Sequence, residues 1–199
     1  MTKIKLCGLT RPEDIEKANE LKPDYIGFVF YDKSSRNVSR QQAAELKALL
    51  DPSIQAVGVF VNPEPAYVAD LLKDGVIDIA QLHGSEDNAF IETLRALAPG
   101  KTIIQAFKIN LSEDTELANS SAADYVLLDS GAGSGETFDW SLIRKVTRPY
   151  FLAGGLHPGN VTDAVQELHP FAVDVSSGIE TDGLKDPEKM QLFVERART

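Results

Sequence analysis

Eight short apolar runs, rich in β-branched and aromatic residues, recur about every 25 residues along this chain, and a longer segment with helical spacing follows each. The runs are Ile4 to Cys7, Tyr25 to Phe30, Ala56 to Val61, Ile77 to Leu82, Thr102 to Phe107, Tyr125 to Leu128, Tyr150 to Ala153 and Phe171 to Val175. Strands apolar on both faces and joined by helices imply a parallel sheet, because a parallel neighbour is reached only through a crossover that covers a face. Eight such units in 199 residues point to the α/β class and to a (β/α)8 barrel, or TIM barrel, near the small end of its size range. No composition shift or Ser/Gly linker divides the chain, so residues 1–199 read as a single domain. The competing fold is an open doubly wound sheet, which commonly carries a G-x-G-x-x-G turn after its first strand. Here the first run ends in Cys7-Gly8-Leu9-Thr10.

The helical segments are signposted. Ser39 to Leu50, Pro63 to Lys73 and Glu86 to Ala98 carry apolar residues at a period near 3.6. Thr10 reads as an N-cap with Glu13 in capping-box position, and Ser39 as the cap of the second helix. The segment after Phe107 is only weakly amphipathic.

Charge and cysteine content exclude several functions. With 30 acidic and 20 basic residues the formal charge is -10, which disfavours nucleic acid as a partner because that affinity comes from Lys and Arg displacing counterions. One cysteine permits no internal disulfide and no four-cysteine zinc site, and three histidines are too few for a histidine-rich metal cluster. No signal-like segment opens the chain, and no apolar run approaches the roughly 20 residues that span a bilayer. A cytoplasmic protein without a membrane partner is expected.

In such a barrel the chemistry belongs at the carboxyl ends of the strands. Cys7 ends the first run, Ser34-Ser35-Arg36 follows the second, Gln81-Leu82-His83-Gly84 the fourth and Asp129 the sixth. Gly154-Gly155 follows the seventh and Ser176-Ser177-Gly178 the eighth, where barrels frequently bind phosphate through backbone N–H groups. Either dipeptide alone reads as turn chemistry; both in adjacent loops favour phosphate. Cys7 has acid/base potential, and Lys5, two positions earlier on the same strand face, would favour its thiolate. The alternative for Cys7 is a small buried residue, and for Asp129 the N-cap of a turn. Position alone leaves both pairs of readings open. Arg36 suits a bidentate grip on a carboxylate or phosphate, although most surface arginines have no such task. His83 is a base, a ligand or a satisfied loop histidine, with metal disfavoured because no second histidine or Cys/Asp/Glu cluster lies nearby in sequence, and the glycine-rich segment from Gly131 to Glu136 is a lid or a plain connection.

At these residues the chain resembles the phosphoribosylanthranilate isomerase family. Lys5-Leu6-Cys7-Gly8-Leu9-Thr10 is similar to the family's opening signature. Gly27-Phe28-Val29-Phe30 with Ser34-Ser35-Arg36, Gln81-Leu82-His83-Gly84, Leu128-Asp129, Leu152-Ala153-Gly154-Gly155 and Asp174-Val175-Ser176-Ser177-Gly178-Ile179-Glu180 continue it in order. The family usually has Ser-Pro-Arg where this chain has Ser34-Ser35-Arg36, so the Arg36 loop lacks one rigid φ. The common Gly-Gly-Thr-Gly after the aspartate is replaced by Gly131-Ala132-Gly133-Ser134-Gly135.

The resemblance implies an Amadori rearrangement of a phosphosugar in tryptophan biosynthesis, with Asp129 as general acid and Cys7 as general base. It further implies a phosphate site at Gly154, Gly155, Ser176, Ser177 and Gly178, and Arg36 facing the anthranilate carboxylate. Gln81 and His83 would line the site. Proton transfers suffice for this chemistry, so no cofactor is implied, and the working form would be a monomer or a homodimer. Rival readings are the related histidine-pathway isomerase, which would expect an aspartate in place of Cys7, a non-catalytic phosphate-binding barrel, and a thiol sensor that here lacks a resolving cysteine.

Overall fold

The computed structural model describes residues 1–111, 113–129 and 140–199. Strands β1 (Lys3–Cys7), β2 (Tyr25–Phe30), β3 (Gln55–Phe60), β4 (Ile79–Leu82), β5 (Thr102–Lys108), β6 (Tyr125–Asp129), β7 (Tyr150–Leu152) and β8 (Ala172–Val175) pair in chain order. Each ladder is parallel, and β8 closes the ring on β1 with Lys5 opposite Asp174. The expected eight-stranded barrel is present. Helices α1 (Pro12–Leu21), α2 (Arg40–Leu49), α3 (Pro65–Lys73), α4 (Asn88–Leu97), α5 (Asp114–Ser120), α6 (Val161–Leu168) and α7 (Pro187–Ala197) follow strands one to five, seven and eight. Before β7 the described residues form a single 3-10 segment, Trp140–Lys145.

Strand alternation divides the apolar residues into two layers. Ile4, Leu6, Ile26, Phe28, Leu82, Leu128 and Val173 belong to the outer core, together with Ile15, Leu46, Leu71, Ile91 and Phe193 of the helices. Tyr25, Val57, Ile79, Ile104, Leu127, Phe151 and Ala172, from seven different strands, form the second cluster, inside the ring. At its amino end the Tyr125 ring stacks on Phe171 with centroids 4.5 Å apart, and the Lys3 ammonium lies over the rings of Tyr25 and Phe171. A fully buried aromatic such as Phe151 contributes about 1.5–3 kcal/mol of burial free energy, so this end is a packed plug. Ligand access is left to the carboxyl end.

The Ser39 hydroxyl caps α2 by accepting from the Gln42 N–H, as its position predicts. The α1 cap differs from expectation. Pro12 occupies the first helical position, which moves the N-cap from Thr10 to Arg11 and the third position from Glu13 to Asp14. The buried Asp14 carboxylate accepts from the Thr10 and Arg11 N–H groups and pairs with the Arg11 guanidinium. A small antiparallel hairpin, β9 (Glu180–Thr181) with β10 (Leu184–Lys185), lies between β8 and α7. Among the described residues no helix is long and apolar enough to cross a membrane.

Candidate active site

A cavity of about 370 Å³ opens at the carboxyl end of the barrel. Cys7, Arg36, Gln81, His83, Asp129, Gly154, Gly155, Ser176 and Ser177 all line it. Gly178 does not. A Cβ at Gly178 would stand 2.0 Å from the Leu156 carbonyl oxygen and 3.0 Å from the His157 Cα, so this glycine lets the β8 loop pack directly on the β7 loop. Its part is close backbone approach behind the phosphate-type loops. The glycine-rich segment Gly131 to Glu136 lies outside the described residues.

Cys7 points inward from the end of β1, and Gly27 of β2 is its register partner. A Cβ at Gly27 would sit 2.6 Å from the Cys7 Sγ, so only glycine leaves the thiol its place. Beneath it Lys5 is wholly buried, with Nζ 2.8 Å from Asp174 Oδ2. Burial opposes the Lys5 charge, but Asp174 and Cys7 outweigh it and lift the ammonium above its ordinary value. For Cys7 burial pushes the thiol up; Lys5 and Lys185 pull it down, Asp174 adds to the rise, and the balance is upward. Lys5 therefore favours the thiolate as its strand position predicts, and burial opposes it more strongly.

Asp129 ends β6, three strands round the ring from β1 by way of β8 and β7. His83 Nε2 lies 3.5 Å from Asp129 Oδ2, and the Gln81 amide nitrogen lies 3.0 Å from His83 Nδ1. An amide N–H donated to Nδ1 leaves the ring hydrogen on Nε2, facing the carboxylate. Gln81, His83 and Asp129 thus lie in one row along the rim.

Opposite lie the two anion-type loops. Gly154 and Gly155 turn the chain after β7 with φ of +83° and +65°, and the Asn160 side chain pins the turn by donating to the Gly155 carbonyl. Ser177 opens a short 3-10 turn after β8. The N–H groups of Gly154, Gly155, Ser176 and Ser177 donate to no other described residue, which leaves them for an anion. Arg36, read as suited to a bidentate grip on a carboxylate or phosphate, already holds one within the protein: Nε and Nη2 donate to the two carboxylate oxygens of Glu180, 2.6 Å each.

The family model for N-(5'phosphoribosyl)anthranilate (PRA) isomerase matches residues 4–196. The chain belongs to the PRA isomerase family. It is 42% identical to the N-(5'-phosphoribosyl)anthranilate isomerase of Thermoanaerobacter sp. (strain X514), covering 100% of this chain and 98% of the relative. It is similar also to a crystal structure of a PRA isomerase in complex with reduced 1-(o-carboxyphenylamino)-1-deoxyribulose 5-phosphate, at 38% identity and TM-score 0.86 over 100% of this chain and 99% of that one. A crystal structure of the Thermotoga maritima PRA isomerase superposes with TM-score 0.88 at 39% identity, over 100% and 99% of the two chains.

Four residues in or beside the cavity lining went unsingled by sequence reasoning alone: Gly27, Asp174, Glu180 and Lys185. Gly27 carried a signal, since a glycine inside an apolar strand marks a close approach. Asp174 carried another, as a lone acid in the eighth apolar run whose parity is that of Ala172. Glu180 and Lys185 depend on the hairpin.

Proposed function

We propose that this isomerase converts N-(5-phosphoribosyl)anthranilate to 1-(2-carboxyphenylamino)-1-deoxyribulose 5-phosphate, with Asp129 as general acid and Cys7 as general base. The observation that carries the proposal is the meeting of Cys7 and Asp129, from well-separated strands, in one cavity that the Gly154-Gly155 and Ser176-Ser177 loops also line. The phosphate would accept from those loop N–H groups and the serine hydroxyls, and the anthranilate carboxylate would meet Arg36. Asp174 Oδ1, buried without a hydrogen-bond partner among the described residues, offers an acceptor to a sugar hydroxyl.

The protonated Asp129 gives its proton to the ring oxygen as the C1–O bond breaks, and the nitrogen lone pair forms the C1=N bond of an iminium. His83 would steady the carboxylate left behind. Cys7 as thiolate then takes the proton from C2, and the C–H electron pair becomes the C1=C2 bond while the nitrogen recovers its lone pair. Loss of the C2 hydroxyl proton and protonation of C1 give the ketone. The order matters for Cys7. Burial opposes its thiolate while Lys5 and Lys185 favour it, and the iminium formed by ring opening puts a further positive charge next to C2, where the thiolate acts. The enzyme would work in the cytoplasm as a monomer or homodimer; one Thermotoga maritima relative is described as monomers generated from a dimeric isomerase.

Purified protein should consume fluorescent PRA without added metal. Cys7→Ala and Asp129→Asn should each lower kcat by about 10²–10⁴-fold while circular dichroism stays unchanged. Full activity in either variant removes that residue from the mechanism. Tight binding by the unaltered protein with no turnover would favour a binding barrel instead.

A further inference from the structure

We propose that Glu180 is a positioning residue that fixes Arg36 with one edge of its guanidinium kept for the ligand, and that Lys185 ties this setting to the phosphate-type loop. The inference rests on the function proposed above, in which Arg36 receives a carboxylate.

A guanidinium has two edges able to hold a carboxylate bidentately, one formed by Nε with a terminal nitrogen and one by the two terminal nitrogens. Glu180 occupies the first, through Nε and Nη2. Nη1 donates to no described residue, and Arg36 lines the cavity, so the second edge remains for an entering anion. The Glu180 side chain is only 8% exposed. Burial pushes its carboxyl up, but hydrogen bonds from Arg36 and Lys185 outweigh burial and hold it below the ordinary carboxylate range. It is therefore a fixed anion that does not release Arg36 near neutral pH.

Lys185 is the second half of the device. Its buried ammonium donates to Glu180 Oε1, to the Ser176 carbonyl at 2.9 Å and toward the Ser176 hydroxyl at 3.3 Å. Those contacts use its three donors, so Lys185 sets the loop and leaves ligand contact to others. The hairpin is itself anchored, since Lys189 donates to the Glu180 carbonyl and Arg11 to the Lys185 carbonyl. Two cations share one carboxylate, which leaves one positive charge in excess beside the cavity. The loop backbone is held by its own hydrogen bonds, Asn37 N–H to the Ser34 carbonyl and Arg36 N–H to the Ser34 hydroxyl, so the clamp sets the Arg36 side chain.

Steady-state kinetics of the full-length enzyme with PRA test the proposal. Glu180→Gln keeps the shape and removes the charge. It should raise KM about tenfold with kcat within about threefold, while the Ki of inorganic phosphate as a competitive inhibitor stays within about twofold. Lys185→Met should raise both KM and the phosphate Ki, each by about tenfold or more. Arg36→Met should raise KM at least as much as Glu180→Gln, and the double variant should match Arg36→Met alone. Additive losses, or a Glu180→Gln enzyme with unaltered KM, overturn the positioning role while Arg36→Met still shows its own defect. An unaltered KM in Arg36→Met instead removes the carboxylate role of Arg36 itself. Should Glu180→Gln fail to fold, Glu180→Asp decides. It is one methylene short of holding both cations, so an intermediate KM is expected and an unaltered one overturns the proposal.

Discussion

Two buried charge clusters border the same cavity and are built on opposite principles. Beneath Cys7, Lys5 and Asp174 face each other as register partners of the parallel β1 and β8 ladder, one cation balanced by one anion. Beside the mouth, Glu180 and Lys185 face each other across the antiparallel hairpin, and Arg36 joins from a loop more than a hundred residues earlier. The inner cluster is neutral and rigid; the outer one carries a surplus positive charge and rests on loops. In a protein of net charge -10, attraction for an anionic ligand would then be local, from the outer cluster and the loop N–H groups.

The largest stability effect expected from breaking this contrast comes from the inner pair. Asp174→Ala leaves the wholly buried Lys5 ammonium without its counter-ion, a change that costs about 3–5 kcal/mol and is read by urea denaturation. Milder variants test the tuning of Cys7, the only cysteine, through its alkylation rate against pH. Four charged groups act on or feel it: Lys5, Asp174, Lys185 and Arg36. Lys5→Met removes an attraction that lowers the thiol, so its inflection should move up. Asp174→Asn removes a charge that raises it, so its inflection should move down. Equal inflections in both variants would mean that burial alone sets Cys7. The linked stability has the matching sign. A thiol raised by folding contributes fully below its unfolded value, and the contribution disappears as pH rises through the folded one.

A smaller effect is expected where backbone sets the distance between the cavity walls. Gly178→Ala would drive a methyl into the Leu156 carbonyl, so the β7 and β8 loops must part. The expected result is a KM for PRA about tenfold higher with a modest loss of Tm, since the strain falls on loops outside the ring. An unaltered KM would show that the phosphate-type loops need not touch.

The same contrast explains what the sequence made legible. Eight apolar runs with helical spacers specify the barrel because strand parity and parallel crossovers leave few alternatives, and the strand-end rule then brings Cys7, Gln81, His83, Asp129 and the Gly154-Gly155 turn to one rim. Lys5 was readable by the same parity. Its partner Asp174 needed the ring to close, which fixes the β1 and β8 register and no local pattern reveals. The hairpin did leave a trace in Asp182-Gly183, whose φ values of +53° and +78° are those a two-residue turn of this kind requires. No local pattern sets Glu180 and Lys185 against Arg36, because that meeting depends on the hairpin. The capping-box acid of α1 is Asp14 in place of Glu13 because Pro12 sets where that helix begins.

The smallest effect separates local from global electrostatics. If the outer cluster and the loop N–H groups capture the ligand, then charges far from the mouth should scarcely matter. Arg95 and Asp124 pair at 3.0 Å between α4 and the segment before β6, on the outside of the barrel, with both side chains more than a third exposed. Such a pair contributes about 0.2–1 kcal/mol at most and is screened by salt. Asp124→Asn should therefore leave KM within about twofold, and raising salt from low to physiological concentration should weaken binding only mildly, because a Debye length of about 8 Å already hides distant charge. A steep salt dependence shared by this variant and the unaltered enzyme would return part of the attraction to the field of the whole surface. It would also reduce the share of binding that Arg36, held by Glu180, has to supply.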